Sequence, residues 1–273
     1  MPKTIIIDAD SGPQYVAHLS ECWERRDLIG LLSLRDIRVR YTQTALGLLW
    51  AVINPLIYLV ILLFVFNVIA RVNTFGIPAA LFTVSGLCAW NYFAKVISEA
   101  GSSIVSSQSL VKKIYFPRLI IPLSKAISAL VDLGVVMIFL FILLLYYKTP
   151  VTINILFLVP GILMLFMIGL GGGIWIAALT IRYRDFHYIV PVLLRIGIFI
   201  SPVAYGSQLV PEQYKWLISL NPLTGIIDAF RWALFGIPMN DQVFFISLGV
   251  SIVLLISGLI YFIRMEKYLA DII

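Results

Sequence analysis

Apolar and polar positions alternate along this chain in long blocks. Charge-poor runs at about residues 45–70, 79–103, 123–147, 154–181, 187–206 and 242–263 are broken by Pro, Gly or charged stretches, and each is long enough for a helix to cross a bilayer. The uncharged stretch from Tyr41 to Ala70 holds 30 residues. As a helix it would extend about 45 Å, beyond a hydrocarbon layer of roughly 30 Å. The pattern predicts an all-α integral membrane fold with six transmembrane helices over 45–263.

Two further blocks do not fit simple spans. Over 27–44, helical spacing puts Leu34, Ile37 and Tyr41 on one stripe and Arg35, Arg38 and Thr42 on the next, although Val39 falls on the basic side. Such a helix lies in the headgroup layer, with Arg35, Arg38 and Arg40 at phosphate depth. The alternative is a plain basic anchor before the first span. Thr42, Gln43, Thr44 and Gly47 then suit an elbow into the bilayer, Trp50 an interfacial site, and Pro55 a kink. Over 207–240 the polar segment Gln208–Lys215 gives way to apolar and aromatic residues, which predicts two short helices broken at Asn221-Pro222. Both a buried re-entrant element and a flat interfacial hairpin satisfy that pattern.

Composition agrees with the blocks: 61% hydrophobic and 12% charged residues, with a mean hydropathy of +1.00, leave too little polar surface for a soluble globule. The net charge of +6 is spread beside the apolar runs and forms no dense nucleic-acid patch. With both termini cytoplasmic, 14 of the 20 Lys and Arg residues fall on the cytoplasmic side, which fixes the orientation. Residues 1–26 read as a cytoplasmic leader and 264–273 as a cytoplasmic tail. Cys22 and Cys88 imply neither a disulfide nor a metal framework.

The chemistry-bearing residues inside the runs are few. Asp132 lies in the third span and needs a partner, with Arg195 in the fifth or Lys95 in the second available; Lys95 and Glu99, four apart on one face, satisfy each other alternatively. Gly169, Gly171, Gly172 and Gly173 lack the Lys and Ser/Thr of a phosphate-binding loop and point to close helix packing. No Walker pattern, paired-His zinc spacing or nucleophile elbow occurs in the chain. The sequence offers no catalytic residue and no metal ligand set.

The lead-in RDIRVRYTQTALGLLWAVINPL at 35–56, SSIVSSQSLVKKIYFPRLIIPLS at 102–124, YRDFHYIVPVLLRIGIFISPVAY at 183–205, SLNPLTGIIDAFRWALFG at 219–236 and the terminal RMEKYLADII occur in the order in which similar stretches stand in the ABC-2 type polysaccharide export permeases. From about Trp23 onward the chain resembles that family. The resemblance implies an amino-terminal interfacial helix, six spans, re-entrant helices before the sixth, and a homodimer clamped by two copies of an ATP-binding cassette ATPase, in the bacterial inner membrane. It implies a lipid-linked glycan of O-antigen, capsular or teichoic-acid type as cargo, no cofactor in this chain, and ATP with Mg in the partner.

On that reading Lys112, Lys113 and Arg118 join Arg35, Arg38 and Arg40 as ligands of a lipid phosphate and as a gate. Arg182, Tyr183, Arg184 and Asp185, in a loop too short for a domain, couple ATPase motion to two helices. Trp50, Tyr58, Phe199 and Tyr205 are the channel aromatics, packing on sugar rings. Two other readings are an exporter of small hydrophobic molecules on the same architecture, and a membrane enzyme of glycan-lipid assembly whose carboxylates Glu99, Asp132, Asp185, Asp228 and Asp241 converge.

Overall fold

A computed structural model describes residues 15–42, 47–150 and 153–272. The leader residues 1–14, and Gln43 and Thr44 of the elbow, lie outside the described residues. Among the described residues the chain is helical throughout, with no strand.

Helices α1 (Tyr15–Glu24) and α2 (Arg26–Thr42) precede the first span. That span is α3 (Trp50–Leu62), extended by π-helical turns over Leu63–Ile69, and Pro55 sits inside it without ending it. Then follow α4 (Ala79–Ser106), the short α5 (Gln108–Lys113), α6 (Ile120–Tyr146), α7 (Leu158–Arg182, led in by 3-10 turns at Ile153–Phe157), α8 (Phe186–Ile200), α9 (Glu212–Ser219), α10 (Pro222–Phe235) and α11 (Asp241–Ile272). Five of these segments are long and apolar enough to cross a membrane: Trp50–Ile69, Ala79–Ser106, Ile120–Tyr146, Ile153–Arg182 and Asp241–Glu266.

The run expected to span 187–206 departs from that expectation. Its helix, α8, has 15 residues, about 22 Å. It ends because Pro202 forces the residue before it out of the helical region, and Ser201 is extended at φ −79, ψ 144. Residues 201–206 therefore form a turn instead of a last helical stretch.

α4 is the centre of the bundle, packed on α6 and α7 and touching α3, α8 and α10. Its buried Ser85 and Ser103 hydroxyls donate back to the Phe82 and Ala100 carbonyls and so are satisfied within the apolar interior. α7 and α11 cross at a glycine contact. A Cβ on Gly171 would lie 2.6 Å from the Leu255 nitrogen, and one on Gly258 2.8 Å from the Gly171 oxygen. Lipid tails supply no hydrophobic drive between helices, so such close approach is how the pair gains contact.

The region before α11 breaks at Asn221-Pro222. The Asn221 side chain accepts from the Leu223 N–H, Pro222 opens α10, and Gly236 ends it at φ 71. α10 is buried among α4, α7 and α11, whereas α9 is exposed. Alternating helix directions place 106–120, 182–186 and the end of α11 at one end of the bundle, and 70–79, 146–150 and 200–241 at the other. Arg118 meets Glu266 at the first end, and Arg231 meets Phe82 at the second.

Candidate functional site

The elbow face of α2 is built from polar residues turned inward. Ser33 donates to the Ser124 carbonyl at 3.2 Å, and Asp36 pairs with Lys125 at 2.7 Å. One turn on, the Arg40 guanidinium reaches Asp132 of α6 at 2.6 Å and Glu99 of α4 at 2.7 Å. Lys95 of α4 also binds Asp132 at 2.7 Å, and the Tyr41 hydroxyl donates to the other Asp132 oxygen. Two cations thus face two anions, and α2 is bolted to both α4 and α6. Charges near hydrocarbon persist only when paired in this way.

This geometry decides between the two partners offered for Asp132 and departs from two other expectations. Asp132 pairs with Lys95 but not with Arg195, which lies exposed on α8. Arg40 does not stand with Arg35 and Arg38 at the surface, because its guanidinium is taken up by two carboxylates. The apolar stripe of α2 also splits: Leu34 is exposed while Ile37 and Tyr41 are half-buried.

Beside the network is a cavity of ≈ 240 Å³, lined among others by Arg40, Trp50, Asn54, Tyr58, Asn91, Lys95 and Asp132. It brings together Arg40, Trp50 and Tyr58 with Lys95 and Asp132, all singled out in the sequence.

The basic segment after α4 lies at the end shared with α1 and α11. Lys112 and Lys113 are exposed. Arg118 is half-buried, its guanidinium donating to the Glu266 carbonyl at 2.9 Å and its backbone N–H to the Glu266 carboxylate. Arg25 donates to the Tyr115 carbonyl and Arg264 to the Tyr15 hydroxyl. Cys22 is buried here, and that burial, then Glu266 and Glu21, push its thiol pKa up to about 12.

Three residues, Tyr183–Asp185, join α7 to α8. Arg182, Tyr183, Arg184 and Asp185 are all exposed, the Arg182 guanidinium stacks 5.3 Å from the Tyr183 ring, and the Asp185 carbonyl starts α8 by accepting from Tyr188 and Ile189. Phe199 is exposed on α8, while Tyr205 donates back to the Ile200 carbonyl and stacks on Phe66. These two aromatics do not converge with Trp50 and Tyr58 within one chain. Of the carboxylates Glu99, Asp132, Asp185, Asp228 and Asp241 only Glu99 and Asp132 come together, around Arg40 and Lys95, and among the described residues no group of three His, Cys, Asp or Glu side chains forms a metal site.

At the opposite end, Arg231 of α10 is 1% exposed. Its guanidinium lies 3.6 Å over the Phe82 ring and donates to the carbonyls of Val203 (2.7 Å), Tyr205 (3.0 Å) and Phe82 (3.4 Å). Asp228, one turn earlier, accepts from Ser207 at 2.5 Å. Gly86 lets the same turn close on α4, since a Cβ there would meet the Val203 oxygen at 2.5 Å. Arg231 is thereby the staple that holds residues 201–206.

The profile of the ABC-2 type transporter family matches residues 27–235 of this chain, more than half its length and the whole of the arrangement from α2 to α10. The chain belongs to the ABC-2 type transporter family. The O-antigen export system permease protein RfbA of Klebsiella pneumoniae is 29% identical to it over 255 residues, covering 90% of this chain and 95% of that protein. RfbA of Myxococcus xanthus is 25% identical over 238 residues, covering 86% and 91%. The polysialic acid transport protein KpsM of Escherichia coli is 26% identical over 250 residues, covering 88% and 94%.

An ABC-2 permease is the multi-pass membrane subunit of its transporter and works with an ATPase partner. Two features of this permease escaped the sequence reading: the inward polar face of α2 and the Arg231 staple. Each had a signal. Ser33, Asp36 and Arg40 recur at helical spacing, and Asp228 stands three residues before Arg231 in an otherwise apolar helix. Their partners lie far off in sequence, so spacing alone could not join them.

Proposed function

We propose that this permease is the membrane subunit of an exporter that carries a lipid-linked polysaccharide across the bacterial inner membrane. It works as a homodimer with two ATPase subunits and keeps both termini in the cytoplasm. The glycan cargo is supported by likeness along almost the whole chain to permeases named for O-antigen export and polysialic acid transport.

The observation that carries the paired arrangement is Arg195. It lies on α8 with no partner among the described residues, on a face whose neighbours Val192, Ile196 and Phe199 are also exposed. An arginine deep in lipid costs about 2.5–3.5 kcal/mol even on the most lenient scale. That face is therefore turned toward a second copy and the polar path between copies. In this reading Arg35, Arg38, Lys112 and Lys113, with Arg118 at their edge, collect the lipid phosphate. The Arg182–Asp185 turn takes up ATPase motion, and α9 with α10 dip back from the outer face to close the exit.

Cross-linking tests the arrangement. Ile196→Cys, in the complex with its ATPase, is expected to form a disulfide-linked permease dimer on mild oxidation, and native mass spectrometry to give two copies of each chain. Cys22 and Cys88 are buried and stay out of that reaction. A complex with one permease copy would count against the proposal.

A further inference from the structure

The cavity beside the α2 elbow is open at its rim and lined within a single protomer by residues of α2, α3, α4 and α6, none of them from the α8 face assigned above to the interface between copies. Its wall combines three chemistries. Trp50 and Tyr58 give aromatic surface, and both are still partly exposed at the rim. Asp132 gives carboxylate acceptors. Asn91 gives a donor, its amide nitrogen buried and without a hydrogen-bond partner in the described structure. Buried amide N–H groups are rarely left unpaired, so an orphan at a cavity wall marks a position where a ligand's acceptor fits.

Charge decides which ligand. Arg40 and Lys95 are matched by Asp132 and Glu99 at 2.6 to 3.8 Å. A phosphate entering here would draw a cation off Asp132 and leave that carboxylate uncompensated, so the site disfavours an anion. An acyl chain would leave the Asn91 amide unpaired and lie against charged groups. A neutral polyol ring with acceptor and donor hydroxyls on its edge and C–H groups on its face answers all three chemistries. The volume of ≈ 240 Å³, below the roughly 300 Å³ of the smallest drug-sized sites, admits one ring and not an oligosaccharide.

We propose that each protomer holds a monosaccharide-recognition pocket at the elbow, in which Asn91 and Asp132 bind the hydroxyls of one neutral pyranose and Trp50 and Tyr58 pack on its C–H face. The inference rests on the reading of the cargo as a glycan and gives that glycan a first contact inside the subunit. One sugar next to the lipid phosphate would sit here while Arg35 and Arg38 face the headgroups.

The test uses the permease–ATPase complex in lipid nanodiscs prepared without glycoside detergents. Saturation-transfer NMR is run with the methyl glycosides of glucose, galactose, mannose, rhamnose and N-acetylglucosamine, and with glycerol and inorganic phosphate as comparisons. At least one glycoside is expected to bind with a dissociation constant on the order of 1 mM, with glycerol and phosphate silent. Asn91→Leu and Tyr58→Ala should each weaken it tenfold or more, and Trp216→Ala on the exposed α9 should leave it unchanged. Tyr58, at the rim, supplies the reading if Asn91→Leu fails to assemble.

The proposal is overturned if no glycoside binds the intact complex, if Tyr58→Ala leaves binding intact, or if phosphate competes with the sugar. It is equally overturned if native mass spectrometry finds a phospholipid that Asn91→Leu releases. Failure of any of these kinds, with glycan export by the complex still observed, removes the pocket and leaves the export reading standing.

Discussion

A single carboxylate, Asp132, holds three elements together, because Arg40, Tyr41 and Lys95 all bind it. Replacing it by Asn leaves Arg40 and Lys95 sharing Glu99. The side chains keep 14% to 31% exposure, so water relieves part of the penalty. The expected loss is about 2 kcal/mol, below the 3–5 of a wholly buried pair. Thermal unfolding of Asp132→Asn in detergent should show it, and the exchange Arg40→Asp with Asp132→Arg should recover part of the loss; an exchange as unstable as the single variants would deny the direct pairing. Cys22 gives a pH signature. Its thiol is raised from the ordinary 9.0 to about 12 by burial, so the neutral form is favoured in the fold. Its contribution to stability is whole below pH 9 and is lost as pH rises toward 12. The thiolate is the nucleophile; at pH 8, therefore, iodoacetamide should leave Cys22 unlabelled in the folded protein and label it once the protein is unfolded in SDS, as mass spectrometry would read.

Helices were the most legible level of the sequence, and their faces the least. The positions of α3, α4, α6, α7 and α11 follow from hydropathy, because a span must be both long and free of charge. The break at Asn221-Pro222 follows from the missing proline N–H. The end of α8 was misplaced because residues 203–206 are as apolar as a span, and the effect of Pro202 on Ser201 is local geometry that hydropathy does not register. The inner face of α2 was misassigned for another reason: a helix bolted by charges to its neighbours turns Ser33, Asp36 and Arg40 inward and can leave Leu34 outside. The glycines of α7, in contrast, were read correctly as packing residues, since Gly171 and Gly258 let two backbones touch. Gly86 does the same for the turn after α8. Gly86→Ala would press a methyl group against the Val203 carbonyl that Arg231 holds, and should lower stability by about 1–3 kcal/mol, measured as a fall in thermal midpoint. A neutral result would mean that the 201–206 turn yields freely and is not stapled.

The whole molecule is asymmetric between its ends. One end joins α1, the basic segment after α4, the Arg182–Asp185 turn and the end of α11, all places where exposed cations can meet phosphates or an acidic partner surface. The other end is closed by α10 and its buried Arg231. Between them, α3 and α8 present apolar faces, with Arg195 exposed on α8, and in the proposed arrangement the α8 face meets a second copy. The most direct measurement of export uses inverted inner-membrane vesicles containing the permease, its ATPase and lipid-linked glycan, with a glycosidase added outside. With ATP, the glycan should pass into the lumen and become protected; without ATP or without the permease it should stay digestible, and Arg35→Glu with Arg38→Glu should slow protection if those arginines gather the headgroup. Glycan that stays exposed while the complex hydrolyses ATP, or that becomes protected with no ATPase present, would contradict the account.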